Sequence, residues 1–546
     1  MKRRIVLASL GLGLLLVVFT LIRVIERDAA TPPSTPPATT KPSIVRDGPS
    51  SLAHRSGGDS EIERAKAGER NPVIIHKPGP DAIAKEFVLR FRNAEDMQRF
   101  LALARTRGVT VLGTLDKFHA VRIRVNDRED LVGLLEDGPT PLELGDNYWV
   151  RVPETANRDV RLPEGVYTAF GGEALKWLGI EGDRHLWGKG ITVAILDTGI
   201  EDHATFAGKT ITRLDLLGAE GTALGPYAGH GTAVASIVAG SLAEASGIAP
   251  GTDLLSIRVA SGDGIGNGFT VASAIVEAVD RGADVISLSL GSQGDSFILA
   301  QAVDYALEHG VAIVASVGND AFDSVSYPAK YDGVIAVSAI DANARHMFFA
   351  NRGPEVDLAA PGLGVNTAWS SGQIVSFSGT SAAAPFVAGA LATLLSSESN
   401  LSPLEAAEIL AQTSADAGAA GHDDEYGSGI LDLDRAMHRD ERGIYDMALV
   451  GIFLDSASRT LSVTAQNRGT EKIPGVELRV SIDATSYSYH FADIGVGRAI
   501  SQPFSADLAK LQQERGVIVR ATVMVRGAED GEPGNNTRIA VLSVPK

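Results

Sequence analysis

Three segments of this chain hold an acid, an imidazole and a hydroxyl, each set among small residues. Ser381 sits in Gly379-Thr380-Ser381-Ala382-Ala383-Ala384-Pro385, at the head of an apolar helix expected to run to about Leu395. Small side chains let a reacting group approach the backbone, and a helix N-terminus offers unpaired N–H groups with partial positive charge. Pro385 is expected in the first turn, where its missing N–H costs little. Asp197 ends the run Ile191-Thr-Val-Ala-Ile-Leu196, whose uninterrupted apolar pattern reads as a strand buried on both faces of a parallel sheet. His230 stands between glycines in Gly229-His230-Gly231-Thr232, heading a second small-residue helix, and those glycines suggest that something comes close. Each segment alone also reads as plain structure: a tight helix start, a turn-capping acid, a satisfied histidine. Together they supply what acyl transfer needs. An imidazole takes the hydroxyl proton, and a carboxylate holds the imidazole's tautomer and stabilises its cation.

The chain order Asp…His…Ser is the subtilisin order among the known triads. The segments Ala194-Ile-Leu-Asp197-Thr-Gly199, Gly229-His230-Gly-Thr232 and Gly379-Thr-Ser381-Ala-Ala-Ala-Pro385 resemble the three signatures of subtilisin-like serine endopeptidases. The resemblance implies a doubly wound α/β domain with a mostly parallel sheet, and it names further residues. Val311-Ala-Ile-Val-Ala-Ser-Val317 leads into Gly318-Asn319-Asp320. In the family the asparagine there supplies its side-chain amide to the oxyanion, and the nucleophile's N–H supplies a second donor. By the same transfer Ser289, Leu290 and Gly291 resemble one edge of a substrate cleft, and Gly264, Ile265 and Gly266 the other. A polypeptide held between them as an extended strand is the implied partner. Asp320 lies near the family's first specificity pocket, which implies a preference against acidic side chains. Two positions depart from the family: Ala382 replaces a common methionine, and Phe386 replaces a common histidine and is expected to pack. No cofactor is implied and no metal ligand set is named. A structural calcium site is not readable, and His422-Asp423-Asp424-Glu425 reads equally well as a solvated turn.

Composition bounds the alternatives. The net charge of −18 over 546 residues argues against nucleic acid or an anionic membrane surface as a target. The absence of cysteine excludes disulfides, thiolate metal sites and cysteine nucleophiles. Lys2-Arg3-Arg4 precedes eighteen uncharged residues, Ile5–Ile22. A helix of that length spans about 27 Å, enough to cross a bilayer, with the basic end left in the cytoplasm. Residues 1–28 therefore read as an uncleaved signal-anchor or, alternatively, a removed signal peptide. The protein is expected either anchored and facing the periplasm or exterior, or secreted.

Residues 29–80 read as a Pro- and Thr-rich spacer, centred on Thr31–Pro42. Residues 81–151 carry strand and helix patterns in β-α-β-β-α-β order, the order of a ferredoxin-like module. Its place before the catalytic region resembles a family propeptide, which inhibits and assists folding, with a cut in about Gly145–Gly171. The other reading is an accessory domain that stays attached. Residues 172–440 alternate strands and helices, with strands expected at Ile191–Leu196, Leu254–Val259, Val285–Leu290, Val311–Val317 and Val334–Ala339 and a closing strand in Tyr426–Leu431. Residues 445–546 show short alternating runs and suggest an immunoglobulin-like β-sandwich. Gln466-Asn467-Arg-Gly469 and Glu532-Pro-Gly-Asn535-Asn536 resemble adhesion-type repeats of bacterial surface proteins. That domain either binds a cell-surface partner or stabilises its neighbour. The expected function is an exported, self-processing serine endopeptidase. The alternative is a silent binding protein on a protease scaffold.

Overall fold

The computed structural model describes residues 63–64, 73–153, 167–218, 221, 224–455, 460–505 and 517–542. The apolar segment Ile5–Ile22 and the stretch Thr31–Pro42 lie outside them. The chain divides into two units. One holds the residues up to 151 together with 265–277 and 292–305; the other holds 152–264, 278–291 and everything from 306 onward.

In the first unit, β1 (Ala82–Arg90), α1 (Ala94–Thr106), β2 (Thr110–Leu115), β3 (Ala120–Arg124), α2 (Arg128–Asp137) and β4 (Glu143–Arg151) follow in order. The four strands lie β4-β1-β3-β2 and pair antiparallel. Both helices begin at acceptor side chains: Asn93 Oδ1 takes the Asp96 N–H at 2.9 Å, and Asp127 Oδ1 takes that of Asp130 at 3.0 Å. The helical spacing of Met97, Phe100, Leu101 and Ala104 puts all four into one core with Leu89, Val121, Ile123, Leu131 and Leu134. Ile265–Asn267 adds an antiparallel strand to β4, pairing with Arg151, Val150 and Trp149. Asn147, fully buried, accepts the Phe269 N–H at 3.1 Å and donates to Glu86 Oε2 at 3.0 Å. It thereby caps the helix Gly268–Asp280 at its first turn.

The second unit is built on a seven-stranded sheet that is parallel throughout. Its strands are β5 (Thr192–Asp197), β6 (Ile211–Asp215), β7 (Asp253–Arg258), β8 (Val285–Leu288), β9 (Ala312–Ser316), β10 (Val334–Ile340) and β11 (Leu358–Pro361). They lie in the order β11-β10-β9-β8-β5-β7-β6. The apolar runs read from the sequence are β5 and β7 to β10, with ends shifted by a residue or two. The outer strands β6 and β11 carry weaker signals: β6 is half exposed, and β11 has only four residues and ends in a proline. Tyr426–Leu431 does not form the expected closing strand. Ile430 makes single bridges to Ala359 and Ala415 instead, with Ser428, Gly429 and Leu431 hydrogen-bonded to Asp357 and Ala359 around it. The helix α3 (His230–Ala239) and the long buried helix α4 (Thr380–Ser397) pack on each other, and α4 also covers β8 to β11. Phe386 of α4 is buried, as its packing role requires.

The same unit ends in two antiparallel sheets around one apolar core of Met447, Leu461, Val463, Leu478, Val480, Val519 and Val523. β12 (Met447–Asp455), β13 (Thr460–Asn467) and β16 (Ala499–Ser505) form one sheet; β14 (Ile473–Ile482), β15 (Thr485–Ile494), β17 (Val517–Arg526) and β18 (Thr537–Leu542) form the other. The strand β16 has no counterpart in the sequence reading. It contains Pro503, which only an edge position tolerates, and β16 is the edge of its sheet. Gln466 and Arg468 of the adhesion-like phrase turn toward the segment that follows α4. Gln466 Oε1 accepts the Asp416 N–H at 2.9 Å, and Arg468 pairs with Asp432.

Candidate active site

Adjacent strands β9, β8 and β5 run parallel, about 4.8 Å apart, so whatever follows each emerges at the same edge of the sheet. Asn319 follows β9, Ser289 follows β8, and Asp197 ends β5. From β5 the chain builds β6 and β7 on one side, then β8 and β9 on the other. The carboxyl end of β5 is therefore the switch point where open α/β sheets place their ligands.

Asp197 is fully buried there. Its Oδ1 accepts the Thr198 N–H at 2.7 Å, and His230 Nδ1 lies 2.8 Å from Oδ1 and 3.0 Å from Oδ2. A carboxylate only accepts, so the Nδ1 proton points to Asp197, and in the neutral imidazole Nε2 is then the nitrogen with the lone pair. His230 is fully buried, with its ring edge-on to Phe377 at 5.2 Å between centroids and 76° between planes. The glycines flanking the histidine admit the protein's own backbone. A Cβ at Gly231 would stand 2.4 Å from the Gly199 carbonyl oxygen and 3.1 Å from Asp197 Cβ, so only glycine lets the head of α3 rest on the Asp197 turn.

Ser381 lies at the second residue of α4 and is buried. Its Oγ donates to the Ser289 carbonyl at 3.4 Å. His230 Nε2 has no hydrogen-bond partner among the described residues, so the expected serine–histidine bond is not formed in this state. Catalytic hydrogen bonds are often loose before substrate binds, and Oγ moves by rotation about a single bond. Pro385 is the sixth helical residue rather than one of the first turn, and its missing N–H leaves the Ser381 carbonyl without its helical donor. The Ser289 hydroxyl supplies that donor at 3.0 Å. Ser289 therefore grips Ser381 at both its hydroxyl and its carbonyl.

Asn319 Oδ1 accepts from the Thr380 N–H at 3.0 Å and from Thr380 Oγ1 at 2.9 Å. Those two bonds fix which way the amide faces and turn its NH2 edge away from Thr380. That edge leaves no room beside Gly379: a Cβ there would stand 2.8 Å from Nδ2, and the glycine's φ of +128° suits no other residue. Thr380 was not singled out from sequence, though it sits inside the Ser381 motif. Asp320 is exposed and donates its N–H to Asn351 Oδ1 at 3.0 Å. Leu290 is buried, and Gly291 rests against Ser326.

Of the other expected cleft edge, the Gly264 carbonyl accepts the Val152 N–H at 2.8 Å. Ile265 and Gly266 are the residues that pair with Arg151 and Val150 in the first unit. Both sets of contacts are made by one segment of this chain, 150–152. The Asp423 side chain takes the N–H groups of Ala419, Glu425 and Tyr426 at 2.8–2.9 Å, which makes His422–Glu425 a hydrogen-bonded turn.

The Subtilase family model matches residues 188–429. Subtilisin DY of Bacillus licheniformis is 35% identical over 259 residues, covering 46% of this chain and 91% of its own. Thermitase of Thermoactinomyces vulgaris is 38% identical over 224 residues, covering 40% of this chain and 80% of its own. Among solved structures, fervidolysin of Fervidobacterium pennivorans, a keratinolytic enzyme related to subtilisin, is similar over 86% of this chain and 93% of its own. Its TM-score of 0.55 at 18% identity is a likeness of fold. With a subtilisin matched over nine-tenths of its length at this identity, the chain belongs to the subtilase family and is a serine endopeptidase.

Proposed function

We propose that Asp197, His230 and Ser381 are the catalytic triad of this endopeptidase. Asp197 holds the imidazole with Nδ1 protonated, and His230 Nε2 takes the Ser381 proton as Oγ attacks the peptide carbonyl. The imidazolium then gives that proton to the leaving amine, and water resolves the acyl-enzyme by the same steps in reverse. The Asn319 amide and the Ser381 N–H bind the oxyanion. The observation that carries this reading is the buried Asp197–His230 pair, whose one unpartnered polar atom is Nε2. A buried nitrogen left without a partner costs about 1–3 kcal/mol, and such atoms persist where chemistry uses them.

The substrate is a polypeptide held as an added strand along Gly264–Gly266 and Ser289–Gly291. The pairing of Trp149–Arg151 with Ile265–Asn267, and the Val152 N–H bond to the Gly264 carbonyl beside it, support a propeptide role for the ferredoxin-like module. Maturation then cuts beyond Val152, inside the window expected from sequence. Export rests on Ile5–Ile22, as signal-anchor or cleaved signal. The C-terminal domain is an immunoglobulin-like sandwich, and the contacts of Gln466 and Arg468 favour a stabilising part for it.

Incubation of the purified chain with a fluorophosphonate probe, followed by N-terminal sequencing of the labelled product, tests this. The expected result is label on Ser381 and a new N-terminus between residues 153 and 171. Ser381→Ala should abolish both peptide hydrolysis and that new terminus; persistence of either removes Ser381 from its role.

A further inference from the structure

Asn351 lies outside every motif of the chain, yet it is fully buried and all four hydrogen-bonding positions of its side chain are filled. Oδ1 accepts the N–H groups of Asp320 and Phe322, both at 3.0 Å. Nδ2 donates to the Val317 carbonyl at 3.0 Å and to Ser326 Oγ at 3.2 Å. Its own N–H donates to the Gly318 carbonyl at 3.0 Å. The chain from Val317 to Phe322 is thus wound about one amide, which is bonded to residues on both sides of Asn319. Gly318 is shaped for this contact: its φ is +104°, and a Cβ would stand 2.4 Å from Asn351 Nδ2.

We infer that Asn351 is the positioning residue for the Asn319 amide, setting the backbone from which the oxyanion donor projects while Thr380 sets the amide's rotation. This rests on the reading of Asn319 as an oxyanion donor. Asn351 makes no contact with substrate in this scheme. It acts through Asn319, whose Nδ2 must meet the oxyanion to within a few tenths of an ångström. A misplacement of about 1 Å loses roughly 10²-fold in rate.

The test is a double-mutant cycle on the mature enzyme, with kcat and KM measured on a chromogenic peptide and normalised to sites titrated by fluorophosphonate, so that misfolded protein drops out. Asn351→Ala should lower kcat by about 10-fold or more with KM changed less than about twofold, since the loss is in transition-state binding. Asn319→Ala alone should lower kcat by about 10²–10³-fold. In that background Asn351→Ala should add less than about twofold, because the group it positions is gone. Where Asn351→Ala gives too few titratable sites, Asn351→Asp serves in its place. It keeps the acceptor for Asp320 and Phe322 and loses both donors. An equal fall in kcat with and without Asn319 overturns the positioning role and leaves the oxyanion reading standing. An unchanged kcat in Asn319→Ala overturns that reading, and the positioning role with it.

Discussion

Replacing Ser289 by alanine should destabilise the catalytic domain through a helix in which Ser289 does not lie. Pro385 denies the Ser381 carbonyl its i+4 donor, and the Ser289 hydroxyl fills the gap at 3.0 Å with both residues fully buried. Truncation leaves a buried carbonyl with no donor, a loss of about 1–3 kcal/mol. The second variant, Pro385→Ala, returns an N–H at the position from which a helix would reach Ser381. On its own Pro385→Ala also loses ring packing, but that term cancels in a double-mutant cycle. The cycle should show a favourable coupling of about 1 kcal/mol, with Pro385→Ala recovering part of the loss only when Ser289 is absent. Urea unfolding followed by tryptophan fluorescence reads it, with every variant made in a Ser381→Ala background so that the protein cannot digest itself. Additive effects, with coupling below about 0.3 kcal/mol, would show that the hydroxyl does not stand in for the missing amide.

Three further outcomes follow from local geometry. Gly379→Ala should lower kcat by about 10-fold or more, because the new Cβ meets Asn319 Nδ2 at 2.8 Å and the backbone is held at φ +128°; wild-type turnover by this variant would contradict the crowding. Burial, with Arg352 adding to it, holds the His346 imidazole down at about 4, whereas the unfolded chain titrates near 6.5. The fold therefore binds fewer protons across that window, and the contribution is complete above about pH 6.5 and lost as pH falls toward 4. His346→Gln should flatten the acid side of a plot of urea midpoint against pH, and curves of unchanged slope would refute the assignment. Asp416 has the opposite sign: burial, assisted by Asp423, raises its carboxyl to about 7, so its contribution is present below about pH 4 and is lost as pH rises to 7. Asp416→Asn should gain stability relative to the parent at pH 8 and not at pH 4; an equal change at both pH values would count against it.

Much of this architecture was legible because the chain states it locally. Five central strands show as apolar runs, and Met97, Phe100, Leu101 and Ala104 mark one face of α1. The three segments that hold Asp197, His230 and Ser381 carry small residues wherever backbones touch. The strands that escaped notice sit at edges, where packing is one-sided: β6 alternates weakly, β11 is four residues long, and β16 holds Pro503. The helix α5 (Pro403–Thr413) escaped although its signal is complete. Ser402 and Glu405 form a reciprocal capping box with proline at the first helical position. Pro385 was misplaced for a different reason. A proline suits the first turn so well that the sequence alone points there. The long-range donor that lets it sit one turn further on comes from Ser289, 92 residues away.

The residues that position the expected machinery have no motif of their own, and the physical reason is common to them. Each supplies a hydrogen bond that the local chain cannot make. The Asn319 side-chain oxygen Oδ1 is held by Thr380, which α4 brings to the end of β9. The Ser381 carbonyl needs Ser289 because of Pro385, and the Val317 and Gly318 carbonyls at the turn both accept from Asn351. Such bonds link strand ends that become neighbours only when the sheet forms. Residue spacing along the chain therefore locates the groups that react, and the parallel order β9-β8-β5 decides which polar side chains hold them still. A substitution at Asn351 or Ser289 should be felt at the reacting atoms for that reason, without either side chain taking part in the chemistry.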